Sequence, residues 1–116
     1  GKFDKNSLVF KLMIRQPDFV TEEFANETIK RIKKKKPHDL LDKVKFGIIE
    51  DGECVQMMHL GRYDNEPKSF KIMEDFCGTN SLKRISEKHK EIYLTDARKV
   101  VPEKLKTVLR FKIEPI

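Results

Sequence analysis

The 116-residue chain has no tryptophan, two tyrosines and two cysteines. It also lacks any apolar run near the roughly 20 residues that a membrane-spanning helix needs. No charged-then-apolar signal segment opens the sequence, so we expect a cytoplasmic protein without a membrane partner. Cys54 and Cys77 have no metal-ligand spacing, which favours buried free thiols over a disulfide framework. Because no Gly-rich phosphate loop or serine–histidine–acid order occurs, neither a cofactor nor a metal is predicted.

Charged residues make up 38% of the chain and give it a net charge of +6. A basic protein can gain affinity for nucleic acid by displacing counterions from phosphates. Much of the excess lies in the four lysines at 33–36, just before Pro37, where a helix would end and where cations favour the helix dipole. The aromatic-rich strands of RNA binders and a clear recognition helix are missing. A basic nucleic-acid-binding module is therefore the alternative that we rank last.

The length allows one hydrophobic core, so residues 1–116 are predicted to form a single domain. Alternating apolar residues predict strands at 8–15, 44–50, 53–60, 89–94 and 108–113. Helical periodicity predicts helices at 21–36 and 66–77 and a short one at 102–106. The dipeptide Asp51-Gly52 favours a tight hairpin between the second and third strands. This order predicts an α+β fold, with a largely antiparallel sheet and two main helices on one face.

One segment with functional potential is Met-Met-His-Leu-Gly-Arg-Tyr at residues 57–63. Its strand breaks at Gly61, which can adopt a backbone conformation closed to other residues. Tyr63 is therefore expected at a turn and not within a strand. Met57 and His59 precede this turn and are further candidates to line a site.

A second such segment is His-Lys-Glu-Ile-Tyr-Leu at residues 89–94. Alternation along a strand sends His89, Glu91 and Tyr93 to one face. A carboxylate flanked on its own face by an imidazole and a phenol is an unusual arrangement in the middle of a strand. This face is the strongest candidate for a functional site.

The succession of strand, Gly-x-Tyr turn, helix and Glu-x-Tyr strand resembles the gyrase-inhibitor-like (GyrI-like) small-molecule-binding family over residues 53–112. The resemblance implies two strand-helix-strand-strand modules about a pseudo-two-fold axis, with ligands in the groove between them. Residues 53–113 would form one complete module, and the strand at 8–15 would be the last of a preceding one. The chain would then be a partial GyrI-like domain, the C-terminal half of a longer member.

The resemblance also implies a function. In the family, a groove glutamate and nearby aromatics receive lipophilic, often cationic compounds, and some members hydrolyse cyclopropane-bearing alkylating natural products. Glu91 matches the family glutamate, and Tyr93 and Tyr63 match tyrosine positions. The hydrolytic members resemble one another in having tryptophan in an aromatic cage, which this chain lacks. The resemblance therefore favours a small-molecule-binding domain, with a hydrolase that uses Glu91 as the alternative.

The acid and the two tyrosines have structural interpretations as well. Glu91 could be the counter-charge to a cationic ligand, a general base if burial raised its pKa, or the partner of a lysine or arginine across the sheet. Tyr63 and Tyr93 could present ring faces to a cation or cover the core with their hydroxyls in water. The match of the surrounding sequence favours the ligand-binding role.

The remaining candidates have a weaker basis. His59 and His89 have no metal-binding spacing, so a structural role is favoured for each over acid–base chemistry. Met57 could line a groove with its flexible thioether, although core packing is the ordinary role of such a residue.

A lone module would leave an edge strand uncovered. Two copies about a two-fold axis could replace the internal pseudo-symmetry that the family resemblance implies. We therefore expect a homodimer, with the strand at 8–15 or the strand at 89–94 at the junction.

Overall fold

The computed structural model describes residues 9–116. Their contacts divide them into two compact units, one ending at Ile49 and the other comprising Glu50–Ile116. In the first unit, helix α1 spans Glu22–Lys35. Thr21 caps α1 by accepting a hydrogen bond at 3.1 Å from the backbone N–H of Phe24, and glutamates in the first turn and lysines in the last suit the helix dipole. The predicted helix at 21–36 is thus confirmed.

Two predicted strands are wrong. Residues 9–15 and residues 44–50 have no regular secondary structure, and Leu8 lies outside the described residues. A strand forms only with a partner for its backbone hydrogen bonds, and the described part of the first unit contains no strand at all. The hairpin predicted at Asp51-Gly52 consequently does not form. That both units belong to one domain stays a prediction.

The second unit is an antiparallel sheet built around one long strand, β4. The strands are β1 at Cys54–Leu60, β2 at Leu82–Arg84, β3 at Lys90–Tyr93 and β4 at Lys106–Pro115. Strand β1 pairs with one edge of β4, and β3 and β2 follow one another along its other edge. The three-residue strand β2 was not predicted, because alternation cannot be recognised over so short a run. Short 3₁₀ helices span Tyr63–Asn65 and Pro102–Lys104 in this unit and Asp39–Lys43 in the first unit.

Helix α2, at Glu66–Thr79, packs on one face of this sheet. Its Met73 and Cys77 are buried against Leu109 and Phe111 of β4, which form the core. With an antiparallel four-stranded sheet and two helices, the described chain is α+β, as predicted.

The opposite face of the sheet holds an ionic network. Asp51 accepts hydrogen bonds from the Lys90 ammonium at 2.7 and 2.8 Å and from the Arg110 guanidinium at 2.8 Å. Arg110 also donates to the side-chain oxygen of Gln56 at 2.8 and 3.0 Å. The Lys90 bond, followed by the Arg110 bond, lowers the pKa of Asp51. This network ties the segment before β1 to β1, β3 and β4.

Candidate functional site

The site lies where the chain passes from the end of β1 to the start of α2. Gly61 ends the strand with a φ of +107°, a conformation that favours glycine. Its N–H donates to the carbonyl of Leu105 at 2.9 Å. The chain then enters the 3₁₀ helix at Tyr63–Asn65, so Tyr63 lies in a turn as predicted.

The buried side chain of His59 holds this turn in place through hydrogen bonds. It is 3% exposed, and its Nε2–H donates to the carbonyl of Arg62 at 2.7 Å. Because a carbonyl can only accept, Nε2 carries a proton, and Nδ1 is hydrogen-bonded to the Ser69 hydroxyl of α2 at 2.7 Å. Both ring nitrogens are therefore engaged within the fold.

The register of the sheet brings the other candidates under the same helix. One row across the sheet is Met57–Leu109–Glu91, and the next is His59–Thr107–Tyr93. Since Leu109 packs against α2, all members of both rows point to the α2 side. Met57 is partly buried and packs against the core, with Leu109 between it and Glu91.

Two tyrosine rings meet at the exposed end of this face. The centroids of Tyr63 and Tyr93 are 5.7 Å apart with an interplanar angle of 71°, an edge-to-face contact. The residues are 37% and 56% exposed, so both rings remain accessible. Burial and then the charge of Glu91 raise the pKa of Tyr93 to about 12. The Tyr93 phenol is therefore neutral at ordinary pH.

Glu91 lies between an imidazole and this phenol. Its carboxylate accepts a hydrogen bond from the Tyr93 hydroxyl at 3.1 Å, and its other oxygen lies 3.9 Å from Nε2 of His89. The neighbouring His89, then the Glu66 carboxyl and the Tyr93 hydroxyl, lower the pKa of Glu91 to about 2 although burial opposes this. The Glu91 side chain is 29% exposed. It is thus a half-shielded, fully ionised carboxylate.

Glu66, which sequence analysis did not single out, is the second acid of the site. It is the first residue of α2. Burial, followed by the neighbouring Glu91, raises the pKa of Glu66 to about 8. Its Oε2 is buried and has no hydrogen-bond partner among the described residues. The pKa raised by burial therefore belongs to Glu66, which holds its proton at neutral pH, and not to Glu91, whose carboxylate is ionised.

His89 is held in place by an aromatic and cationic stack. Its ring centroid is 4.7 Å from that of Phe70 on α2. The Arg84 guanidinium lies 5.5 Å from the centroid of Phe70 and 4.5 Å from that of Phe111. Arg84 also donates to the carbonyls of Ser86 and Glu87 at 2.7 and 2.8 Å, in the loop that leads to His89.

Other kinds of site find less support within residues 9–116. No group of three or more histidine, cysteine or acidic residues there could hold a metal ion, and none of the helices is long and apolar enough to cross a bilayer. An open depression of about 340 Å³ lies between β1 and α2. Met57 and His59 line it, but neither acid nor tyrosine of the site does. Cys54 and Cys77 are free thiols.

Comparison with known proteins assigns the family. The GyrI-like small molecule binding domain matches residues 2–114. Similar solved structures include an uncharacterized conserved protein from Listeria innocua (TM-score 0.79, 45% identity, 86% of this chain and 50% of that one). Two others are hydrolases from the same organism, one with a TM-score of 0.76 and 43% identity over 86% of this chain and 52% of that one. The second has a TM-score of 0.75 and 42% identity over 86% and 50%.

No curated protein matches the chain. The chain spans about half the length of these similar structures. At this identity, and with a family match over nearly all of its residues, the chain belongs to the GyrI-like small-molecule-binding domain family.

Proposed function

We propose that this chain binds a lipophilic cation beside Glu91, against the rings of Tyr63 and Tyr93. The observation that carries the proposal is the ionised carboxylate of Glu91, half shielded from water and bonded to one of two accessible tyrosines. His89 and Phe70 would form the far wall of the binding surface, since their rings pack together next to Glu91.

The affinity for a cation would come from the partial exclusion of water around Glu91. Two unit charges attract more strongly where water is partly excluded than at an open surface, because the effective dielectric constant is lower. A tyrosine face adds about 0.5–2 kcal/mol of cation–π attraction, more as the contact is desolvated. Apolar lining with a few converging polar groups is typical of small-molecule sites. His59 and Met57 support this surface from within the fold and are not among the proposed ligand contacts.

The test is a titration with a lipophilic monocationic dye at pH 7. Glu91→Gln should weaken binding about tenfold or more, since it removes the counter-charge but keeps the shape. The matched control is Glu114→Gln, which removes the same charge from β4 at an exposed position where Glu114 pairs with Lys83. Equal affinity of the two variants would reject the role of Glu91.

We also propose that a second copy supplies the other wall of the groove. In the described residues β1 and β3 each pair with β4 alone, which leaves an outer edge on both strands. A symmetric dimer would cover one such edge with the same patch on both partners. Light scattering at micromolar concentration should then give about twice the 13.7 kDa of the chain. A mass that stays at the monomer value as concentration rises would contradict this.

A second candidate function is hydrolysis of cyclopropane-bearing alkylating compounds. It is favoured by the acid pair, in which Glu66 retains a proton that it could give to substrate while Glu91 is ionised and could orient water. Two similar structures are called hydrolases. Water would add across the strained carbon–carbon bond, so the product gains the mass of one water. Turnover that does not exceed a Glu91→Ala control would reject this candidate.

The cytoplasm is the compartment that we propose. Free thiols at Cys54 and Cys77 are typical of a reducing environment.

A further inference from the structure

We propose that residues 9–15 of one copy add as an antiparallel strand to the outer edge of β1 in a second copy, and that each copy does this to the other. The inference rests on the proposed dimer and deepens it, because it names the segment that is donated and the edge that receives it. Residues 9–15 are called the donor segment below, and the outer edge of β1 at Cys54–Leu60 is called the acceptor edge.

The donor segment has the sequence pattern of a strand but no neighbouring strand in the chain. Residues 9–15 have no regular secondary structure. Their five apolar side chains are between 51% and 98% exposed. Contiguous exposed apolar residues mark interaction surfaces, and a strand forms only with a partner for its backbone hydrogen bonds. The donor segment therefore needs a strand edge with an apolar surface beside it.

Strand β1 provides such an edge. Within residues 9–116, β1 pairs with β4 on one side, and no strand pairs with its outer side. β1 has seven residues, as many as the donor segment, whereas β3 has four. An unpaired edge is a template for a further strand, and addition of an extended segment to such an edge is a recurring mode of recognition. The matching lengths favour β1 over β3.

The alternation of the donor segment fits the two sides of the acceptor edge. One phase carries no charge and consists of Phe10, Leu12 and Ile14. The depression of about 340 Å³ opens between β1 and α2, and Met57 and His59 line it. When the uncharged phase is turned toward α2, it fills this depression, and the phase that contains Lys11 and Arg15 points to the other side of the sheet.

The charges at the two ends of β1 favour the antiparallel direction. Three acidic residues precede the strand, namely Glu50, Asp51 and Glu53. Arg62 follows its end, and Lys68 lines the depression there. An antiparallel donor segment brings Arg15 to the acidic end, whereas a parallel one would bring it to the basic end. Opposite charges attract and like charges repel across such short distances.

The area that reciprocal exchange would bury suits a stable dimer. Burying one large apolar side chain removes roughly 100 Å² from water, so the five of each donor segment, partly covered already, contribute about 400 Å². Two donor segments and a comparable area on the two acceptor edges give about 1,600 Å² as an upper limit, which is the size of a standard interface. Two thirds of that area would still exceed the roughly 1,000 Å² that a specific interface needs.

The first test is disulfide cross-linking between two different chains, each made in a Cys54→Ser background and one carrying an affinity tag. In the centred antiparallel register Lys11 lies opposite Met58, and both residues are exposed. A mixture of Lys11→Cys and Met58→Cys chains should form a linked heterodimer on mild oxidation, and such a link can only join two copies. The matched control is Met13→Cys mixed with Met58→Cys, which lie opposite one another only in a parallel register. It should link at least about tenfold less, because cysteines on non-opposed positions are too far apart.

The second test measures the dimer dissociation constant by sedimentation. Leu12→Asp places a charge in the phase that faces the depression and should raise this constant about tenfold or more. The matched control is Ile48→Asp, which makes a similar change at an equally exposed residue outside the donor segment, since Leu12 is 85% and Ile48 89% exposed. The control should stay within about twofold of wild type. Circular dichroism checks that both variants keep the wild-type fold.

The outcomes separate this inference from the proposed dimer. A wild type that stays monomeric as concentration rises would overturn both. A wild-type dimer with equal dissociation constants for Leu12→Asp and Ile48→Asp, or without the link between Lys11→Cys and Met58→Cys chains, would overturn the strand exchange alone. A link that forms only inside a single chain carrying both cysteines would also overturn it, since the segment would then pair within one copy. The cross-linking test does not use Leu12→Asp, so it decides the question even if that variant fails to fold.

Discussion

Replacing Glu66 by glutamine should change how the stability of the second unit depends on pH. The substitution keeps the shape and neutrality of the protonated side chain but removes its ability to ionise. Below pH 5, wild type and variant should be similar in stability. At higher pH the variant should become the more stable of the two, because wild type must either retain a proton or bury a charge.

The magnitude follows from the pKa of Glu66, which rises from an ordinary 4.5 to about 8 in the folded chain. Folding takes up a proton when the pH lies between these two pKa values. The free energy of unfolding therefore falls by about 1.36 kcal/mol for each unit of rise in pH. The stability linked to the raised pKa of Glu66 is fully present below about pH 4.5 and is lost as pH rises through about 8. The full interval corresponds to about 4.8 kcal/mol as an upper limit. Since the side chain is only partly buried, we expect roughly half, about 2 kcal/mol between pH 5 and pH 8.5.

The assay is urea unfolding of both proteins at several pH values, followed by tyrosine fluorescence. Tyr63 and Tyr93 are the only tyrosines and the chain has no tryptophan, so this signal reports on the site itself. With an m-value of about 1 kcal/mol per molar urea, the midpoints should separate by about 2 M across this range. A separation that does not change with pH would refute the protonated state of Glu66.

Two further substitutions test the support of the site and of the sheet. Ser69→Ala removes the hydroxyl that is hydrogen-bonded to His59 and should lower the free energy of unfolding by about 1 kcal/mol, measured from urea midpoints at pH 7. Asp51→Asn should cost up to about 1 kcal/mol at pH 7, because it weakens the contacts with Lys90 and the neighbouring arginine. The pKa of Asp51 is lowered in the fold, so its contribution is present above the ordinary pKa and is lost as pH falls through the lowered one. The melting temperatures of wild type and Asp51→Asn should therefore differ at pH 7 and converge at pH 2.

The sequence predicted the elements whose periodicity is long and whose ends are marked. Helix α1 had a threonine cap and a proline after its last turn, and α2 had Pro67 in its first turn and an apolar stripe. The turn at Gly61 and the common face of Glu91 and Tyr93 were also correct, because alternation fixes which side chains share a face. Alternation says nothing about whether a partner strand exists. For that reason residues 9–15 and 44–50 were wrongly predicted as strands.

The part of the site that the sequence could not supply depends on packing. Glu66 lies in the first turn of α2, where an acid ordinarily suits the helix dipole, so its burial beside Glu91 has no separate signal in the sequence. Arg84 lay in a stretch without recognisable periodicity, although it stacks on Phe70 and thereby supports His89. Such contacts join residues far apart in the chain, and only the fold shows which of them meet.

The most direct test of the binding account is to locate a bound ligand by nuclear Overhauser effects between a lipophilic monocation and the tyrosine ring protons. The chain has only two tyrosines, so few assignments are needed. The account predicts effects from the ligand to both Tyr63 and Tyr93, and their loss in Glu91→Gln at equal ligand concentration. A ligand that binds but shows effects only to residues of the depression between β1 and α2, such as Met58, Leu60 or Lys68, would contradict it.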